Sequence, residues 1–193
     1  MDRIRRLAIA AFASLAACHA EAPTTVVAER RIELDAAAQI AASVRNDAHI
    51  LALWHASNVA AIAAGALAQQ RAIDAGVLAF AVQVVSEYRA IDMKGAALSW
   101  EIQVAPALPD SSLPRLLHAE SVQLASVTIG AAFDRLYVAQ QVGAHQRTLA
   151  IVDSSIVRAQ SIALRDMLMK ELRPAVAAHL NTALDLQAKV GKP

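Results

Sequence analysis

Aromatic side chains are scarce in this sequence, at 4% of 193 residues, and glycine and proline number only six each. So few chain-bending residues leave no low-complexity tract and no Gly-rich phosphate loop. With alanine swelling the hydrophobic share to 56%, the composition favours closely packed helices. A single cysteine, Cys18, excludes an internal disulfide. No uninterrupted apolar run approaches the ~20 residues of a mature membrane-crossing helix. The net charge is +1, of which Asp2, Arg3, Arg5 and Arg6 hold +2, so the chain from Cys18 onward carries −1. No basic patch argues for nucleic acid as a partner. Metal-binding signatures are missing as well. There is no Glu-x-x-His or Asp-x-x-His, and none of the six histidines has an acidic residue three or four positions away. A ferritin-type di-iron centre takes a Glu from each of two helices and a Glu-x-x-His from each of two others, so no di-iron centre is expected. Ser57, Ser86, Thr148 and the Ser154-Ser155 pair sit in or at the ends of helical runs without a nucleophile elbow. The chain therefore leans away from an enzyme, and its cofactor is left unknown.

At the N-terminus there is a positive stretch, Met1 to Arg6, then an apolar stretch, Leu7 to Ala17, too short for an anchor. Residues 1–17 read as a signal peptide. Leu15-Ala16-Ala17-Cys18 resembles the bacterial lipobox, in which cleavage before the cysteine leaves its thiol to receive a diacylglyceryl group. That implies a membrane anchor through lipid on Cys18, with acyl chains contributing ~0.8 kcal/mol per buried methylene. His19 rather than aspartate follows, which by resemblance to enterobacterial sorting favours the outer membrane over the inner. The expected location is the periplasmic face of the cell envelope.

Residues 18–45 read as a tether off the membrane, polar to about Arg31, with a short helix from Ile32 to Val44. A helical domain over 46–190 follows. Asn46 or Asp47 caps a first long helix ending near Arg71, and after Asp74-Ala75-Gly76 a second runs from about Gly76 to Trp100. Pro106, Pro109 and Pro114 mark a loop. Ser112 caps a short helix from Pro114 to about Ser126. The third long helix runs from Thr128 or Gly130 to Asp153, and the fourth from Ser155 to Lys189, with a kink or split at Pro174. The fold expected is all-α: a four-helix bundle with a short extra helix between the second and third long helices.

On the third helix Val138, Val142, Leu149 and Val152 lie within roughly 60° of His145, with Gln141 one turn and Asp134 three turns before it. His145 thus points with the apolar stripe. It is either a core histidine satisfied by a carbonyl or a neighbour, or a ligand or proton-handling group. On the fourth helix Leu172, Val176, Ala183 and Leu186 share a side with His179. A mononuclear metal site from His145, His179 and Glu87 is the sharper alternative, with Tyr88, Gln141 and Asp134 as polar partners. His49, His55 and His118 read as surface or boundary residues, and Trp54 and Trp100 as fillers of core or helix-end space. A hydrophobic or peptide ligand between alanine-lined helices would need a real cavity; small side chains allow close approach, so a filled core is expected.

Asn58 to Gly65, Phe80-Ala81 with Val85 and Glu87-Tyr88, Phe133 to Tyr137 with Gln141-Val142 and His145, and Arg173-Pro174 with His179-Leu180 together resemble the bacterial domain-of-unknown-function family four-one-four-two. The resemblance spans about residues 46–188. It implies an exported, ferritin-like helical bundle, of a kind often labelled predicted outer-membrane protein, without an established reaction. Members typically carry a glutamate on the first helix, a histidine after an acidic residue on the second, and histidines on the third and fourth. Here the last two are His145 and His179, whereas Ala61 and Tyr88 stand at the first two positions. The expected function is a non-enzymatic structural, stress-related or binding role, with an unknown envelope protein or small ligand as partner. The alternative is a metal-binding or redox protein using His145 and His179.

Overall fold

Asn46 starts the first long helix by accepting the His49 N–H on its side chain at 3.0 Å. Asp74 does the same for the second, accepting from Gly76 and Val77 at 2.8 and 3.0 Å. Such caps satisfy amide groups that the first turn of a helix leaves open. The computed structural model describes residue 31 and residues 35–191; the expected signal peptide, Cys18 and the expected tether up to residue 30 lie outside the described residues. All regular structure among the described residues is helical. The elements are α1 (35–43), α2 (Asp47–Arg71), α3 (Ala75–Glu101), α4 (Ser112–Ser126), α5 (Ala131–Arg158), α6 (Ile162–Met167) and α7 (Arg173–Val190). Gly130 precedes α5 with φ 140°, a backbone conformation that a side chain would disfavour.

Helix α2 packs along α3, and α5 along α7; α2 also meets α5, and α3 meets α7. The α2–α3 approach is close because Gly65 faces Val85 and Gly95 faces the Trp54 ring, where a Cβ would lie 2.7 and 3.2 Å from its neighbour. Two apolar clusters result. One gathers Ile50, Leu53, Trp54, Leu98, Leu113 and Leu164 near the start of α2. The other gathers Val77, Phe80, Val84, Phe133, Tyr137 and Val138 toward its end.

A buried aspartate ties each end. Asp47, 5% exposed, accepts Gln160 and Ser161 N–H at 2.8 and 2.9 Å, holding the α5–α6 turn. Asp134, 2% exposed, accepts Ile73 N–H at 3.2 Å and Asp74 N–H at 2.8 Å, holding the α2–α3 turn.

Several expectations are corrected here. The packed region reaches further toward the N-terminus than Asn46: Ala37, Ile40, Ala41 and Val44 of the α1 region are buried, and the Ser154 hydroxyl donates to Ala41 O. Helix α5 runs past Ser154-Ser155 to Arg158, because Ser155 turns its hydroxyl back onto Ile151 O instead of capping a new helix. The chain breaks at 159–161, and Ser161 caps α6. Pro174 does not split the fourth helix, since the run from Ile162 to Val190 stays helical; instead a π-helical turn over Leu168–Leu172 lies directly before it, where the ring meets the preceding turn and a hydrogen bond is lost. At α4 the Ser112 N–H is bonded by Asp110, at 2.7 Å. Trp54 is core, but Trp100 is 85% exposed. By length and composition α2 could cross a membrane, with a mean hydropathy of 1.6 over an 18-residue window. Polar His, Ser and Asn residues interrupt its apolar run, so an average passes where an unbroken run does not. Here it packs against α3, α4 and α5, with Asn58 fully buried.

Candidate functional site

The apolar stripe of α5 carries His145 inward, and that of α7 carries His179 inward; they are 2% and 0% exposed. Their rings meet edge-on with centroids 5.5 Å apart. Tyr88 of α3 lies 5.9 Å from the first and 5.2 Å from the second, and Phe80, two turns earlier on the same face, lies 6.2 and 6.1 Å from them. Tyr137 stands 6.5 Å from Phe80 and stacks on Phe133. Two histidines therefore sit inside an aromatic box made from α3, α5 and α7.

Each imidazole is turned by one hydrogen bond. His145 Nδ1 donates to Gln141 O at 2.6 Å, and His179 Nε2 donates to Glu87 Oε2 at 2.8 Å. The opposite nitrogens, His145 Nε2 and His179 Nδ1, are buried without a protein partner, as are Tyr137 Oη and Gln141 Oε1. Burial pushes His145 down to about 4, helped by the nearby His179 and Arg147 charges and opposed by its bond to Gln141 O. Burial also lowers His179, against the pull of Glu87. Tyr88 and Tyr137 are raised, mainly by burial. The imidazoles and phenols of the box are uncharged at neutral pH, and the two free imidazole lone pairs are acceptors.

Beside the box is an open cleft of about 630 Å³ between α2, α4 and α5. Ala60, Ala61, Ala64, Leu117, Leu124 and Ala144 give its apolar walls, and Tyr88, Gln141 and His145 border it from within. The filled core expected from small side chains is therefore not what forms. Helix α4 is held off by long polar contacts: Arg147 grips Glu120 through two bonds of 3.0 and 2.9 Å, Gln140 reaches Glu120 O, and Arg71 reaches Ala125 O. Alanines beneath it are too short to close the gap.

Of the residues singled out from sequence, His145, His179, Glu87, Tyr88 and Gln141 come together. Asp134 does not; it is consumed by the α2–α3 turn. Glu87 meets His179 at the ring nitrogen opposite the unpaired one, so it orients that imidazole. Gln141 contributes its backbone carbonyl as well as its side chain. Sequence reasoning missed Phe80 and Tyr137 as walls of the box, although both sit one or two turns from residues it named. It also missed the Glu120–Arg147 pair, whose only signal is a lone arginine two residues after His145. His55 is at the surface with Asp92 at 3.0 Å, and His118 is exposed.

The donors do not fit a ferritin-type di-iron centre. Glu87, the one carboxylate at the box, is engaged with His179, and no group of three or more His, Cys, Asp and Glu suited to a metal occurs among the described residues. A family model described as a domain of unknown function (DUF4142) matches residues 33–186. No curated protein and no solved structure matches the chain.

Proposed function

The chain belongs to the DUF4142 family, and on that premise we propose that it is a lipid-anchored, non-enzymatic binding protein of the bacterial cell envelope. In this reading residues 1–17 are a signal peptide, Cys18 carries the lipid, and α2, α3, α5 and α7 form a ferritin-like four-helix bundle facing the periplasm, from the outer membrane more than the inner. The single observation that supports binding is the set of buried, unpaired polar atoms beside an open cleft. Unpaired buried polar atoms each cost on the order of 1–3 kcal/mol, so a ligand that satisfies them is favoured. Catalysis has less support, because His145 and both tyrosines titrate away from neutrality, where a general acid or base works best.

The anchor is tested by Cys18→Ser in cells. The substituted protein should leave the membrane fraction, as soluble or uncleaved chain, and lose incorporated lipid label. Unchanged fractionation with no label on the parent protein would remove the lipoprotein reading.

A second reading, a mononuclear metal or redox site, is favoured by one specific observation. Both histidines donate one ring N–H to a carbonyl or carboxylate and leave the other ring nitrogen without a partner, which is how metal-bound imidazoles are held. His145 and His179 would hold the ion, with Glu87 outside it; two neutral imidazoles suit zinc or copper. Elemental mass spectrometry on protein purified without a histidine tag should then find metal that is absent from the His145→Ala, His179→Ala double variant. Metal-free protein after loading with zinc, copper, iron and manganese rejects this reading.

A further inference from the structure

We infer that the cleft between α2, α4 and α5 is a binding site for a small uncharged amphiphile, an apolar body carrying a hydroxyl head. The inference rests on the reading of the domain as a binding scaffold and adds the chemistry of what is bound. Size comes first. At about 630 Å³ the space falls within the range that holds a small organic ligand. The walls come next. Ala60, Ala61, Ala64, Leu117 and Ala144 offer methyl and isobutyl groups from three helices, so the body of the ligand is apolar.

The head group is decided at the inner side. Tyr88, Gln141 and His145 border the cleft, and none of them brings a carboxylate or an ammonium to it. Gln141 is 3% exposed with Oε1 unpaired, and His145 is 2% exposed with Nε2 unpaired. A hydroxyl both donates and accepts, so it suits an imidazole lone pair, a carboxamide and a phenol together. A carboxylate would give up its hydration without a free cation to meet it. Arg147 lines the cleft, but both its outer nitrogens are taken by Glu120 at 3.0 and 2.9 Å. An ammonium fares no better, since Glu120 is neutralised by that same arginine. At the outer rim the Asp92 carboxylate is engaged by the His55 ring at 3.0 Å and by the Asn58 amide at 3.2 Å.

The test is calorimetric titration of the purified protein with three probes that share one chain: 1-decanol, decanoate and decylammonium. The alcohol is expected to bind at least tenfold more tightly than either ion. Ala61→Leu, which fills the cleft from a part-exposed wall, is expected to weaken decanol at least tenfold while circular dichroism stays unchanged. Gln141→Leu is expected to shrink the preference for alcohol over the ions. If none of the probes binds to folded protein, the binding reading falls together with this proposal. If all three bind, but the ions match or exceed the alcohol, binding stands and the assignment of an uncharged head is overturned. Full decanol affinity in Ala61→Leu places the ligand elsewhere and overturns the site.

Discussion

Between pH 6.5 and pH 4 the domain should lose roughly 3 kcal/mol of stability, more than any single surface ion pair contributes. The cause is His145, whose ordinary value of 6.5 falls to about 4 in the folded protein. Across that window the unfolded chain takes up a proton that the folded chain refuses. Stability therefore rises with pH up to about 6.5 and falls on acidification, with the loss complete near pH 4. His179 is shifted in the same direction and adds to it. Urea denaturation midpoints from pH 7 to pH 4 provide the measurement. His145→Leu should flatten the profile and be no less stable than the parent at pH 7, because it removes an unpaired nitrogen from the box and fills the same space. A profile unchanged by the substitution would assign the acid sensitivity elsewhere.

Asp134→Ala should cost about 2–3 kcal/mol, a large part of the 5–15 kcal/mol that holds a domain together. The substitution strips the carboxylate from Ile73 N–H and Asp74 N–H at the turn between α2 and α3. Both bonds go to a charged acceptor that is itself 2% exposed, so water replaces them poorly. Asp47→Ala should cost a similar amount, because Asp47 performs the same task for Gln160 and Ser161 at the other end of α2. The two aspartates are separated by the length of a 25-residue helix, so their losses should add. Thermal or urea unfolding of the two single variants and the double variant measures this. A loss well below 1 kcal/mol for Asp134→Ala would show that the turn holds without it.

The long helices were legible because their signals are local. Asn46 and Asp74 cap where a capping residue precedes an apolar period, and the stripes of α5 and α7 place His145 and His179 inward by angle alone. The end of α5 was not legible. Ser154 and Ser155 look like a helix start, and what makes them helix interior is a bond to Ala41, more than a hundred residues away, and one to Ile151 within the helix. Asp134 illustrates the same limit at the site. Helical phase puts it on the side of His145, but its partners belong to a turn sixty residues earlier in the chain. The cleft was the least visible feature. Alanine-lined helices ordinarily close on each other, and here Arg147, Gln140 and Arg71 hold α4 through their long side chains above alanines too short to fill the gap. Ala61 is part of that wall.

The binding reading requires that both imidazoles are neutral, each with one ring nitrogen left without a protein partner. Nitrogen-resolved NMR of the histidine side chains at pH 6 tests it most directly. The predicted spectrum has His145 protonated at Nδ1 alone and His179 at Nε2 alone, with His145 staying neutral until close to pH 4 and its Nε2 signal moving when 1-decanol is added. An imidazolium at His145 at pH 6, or a proton found on its Nε2, would contradict the account.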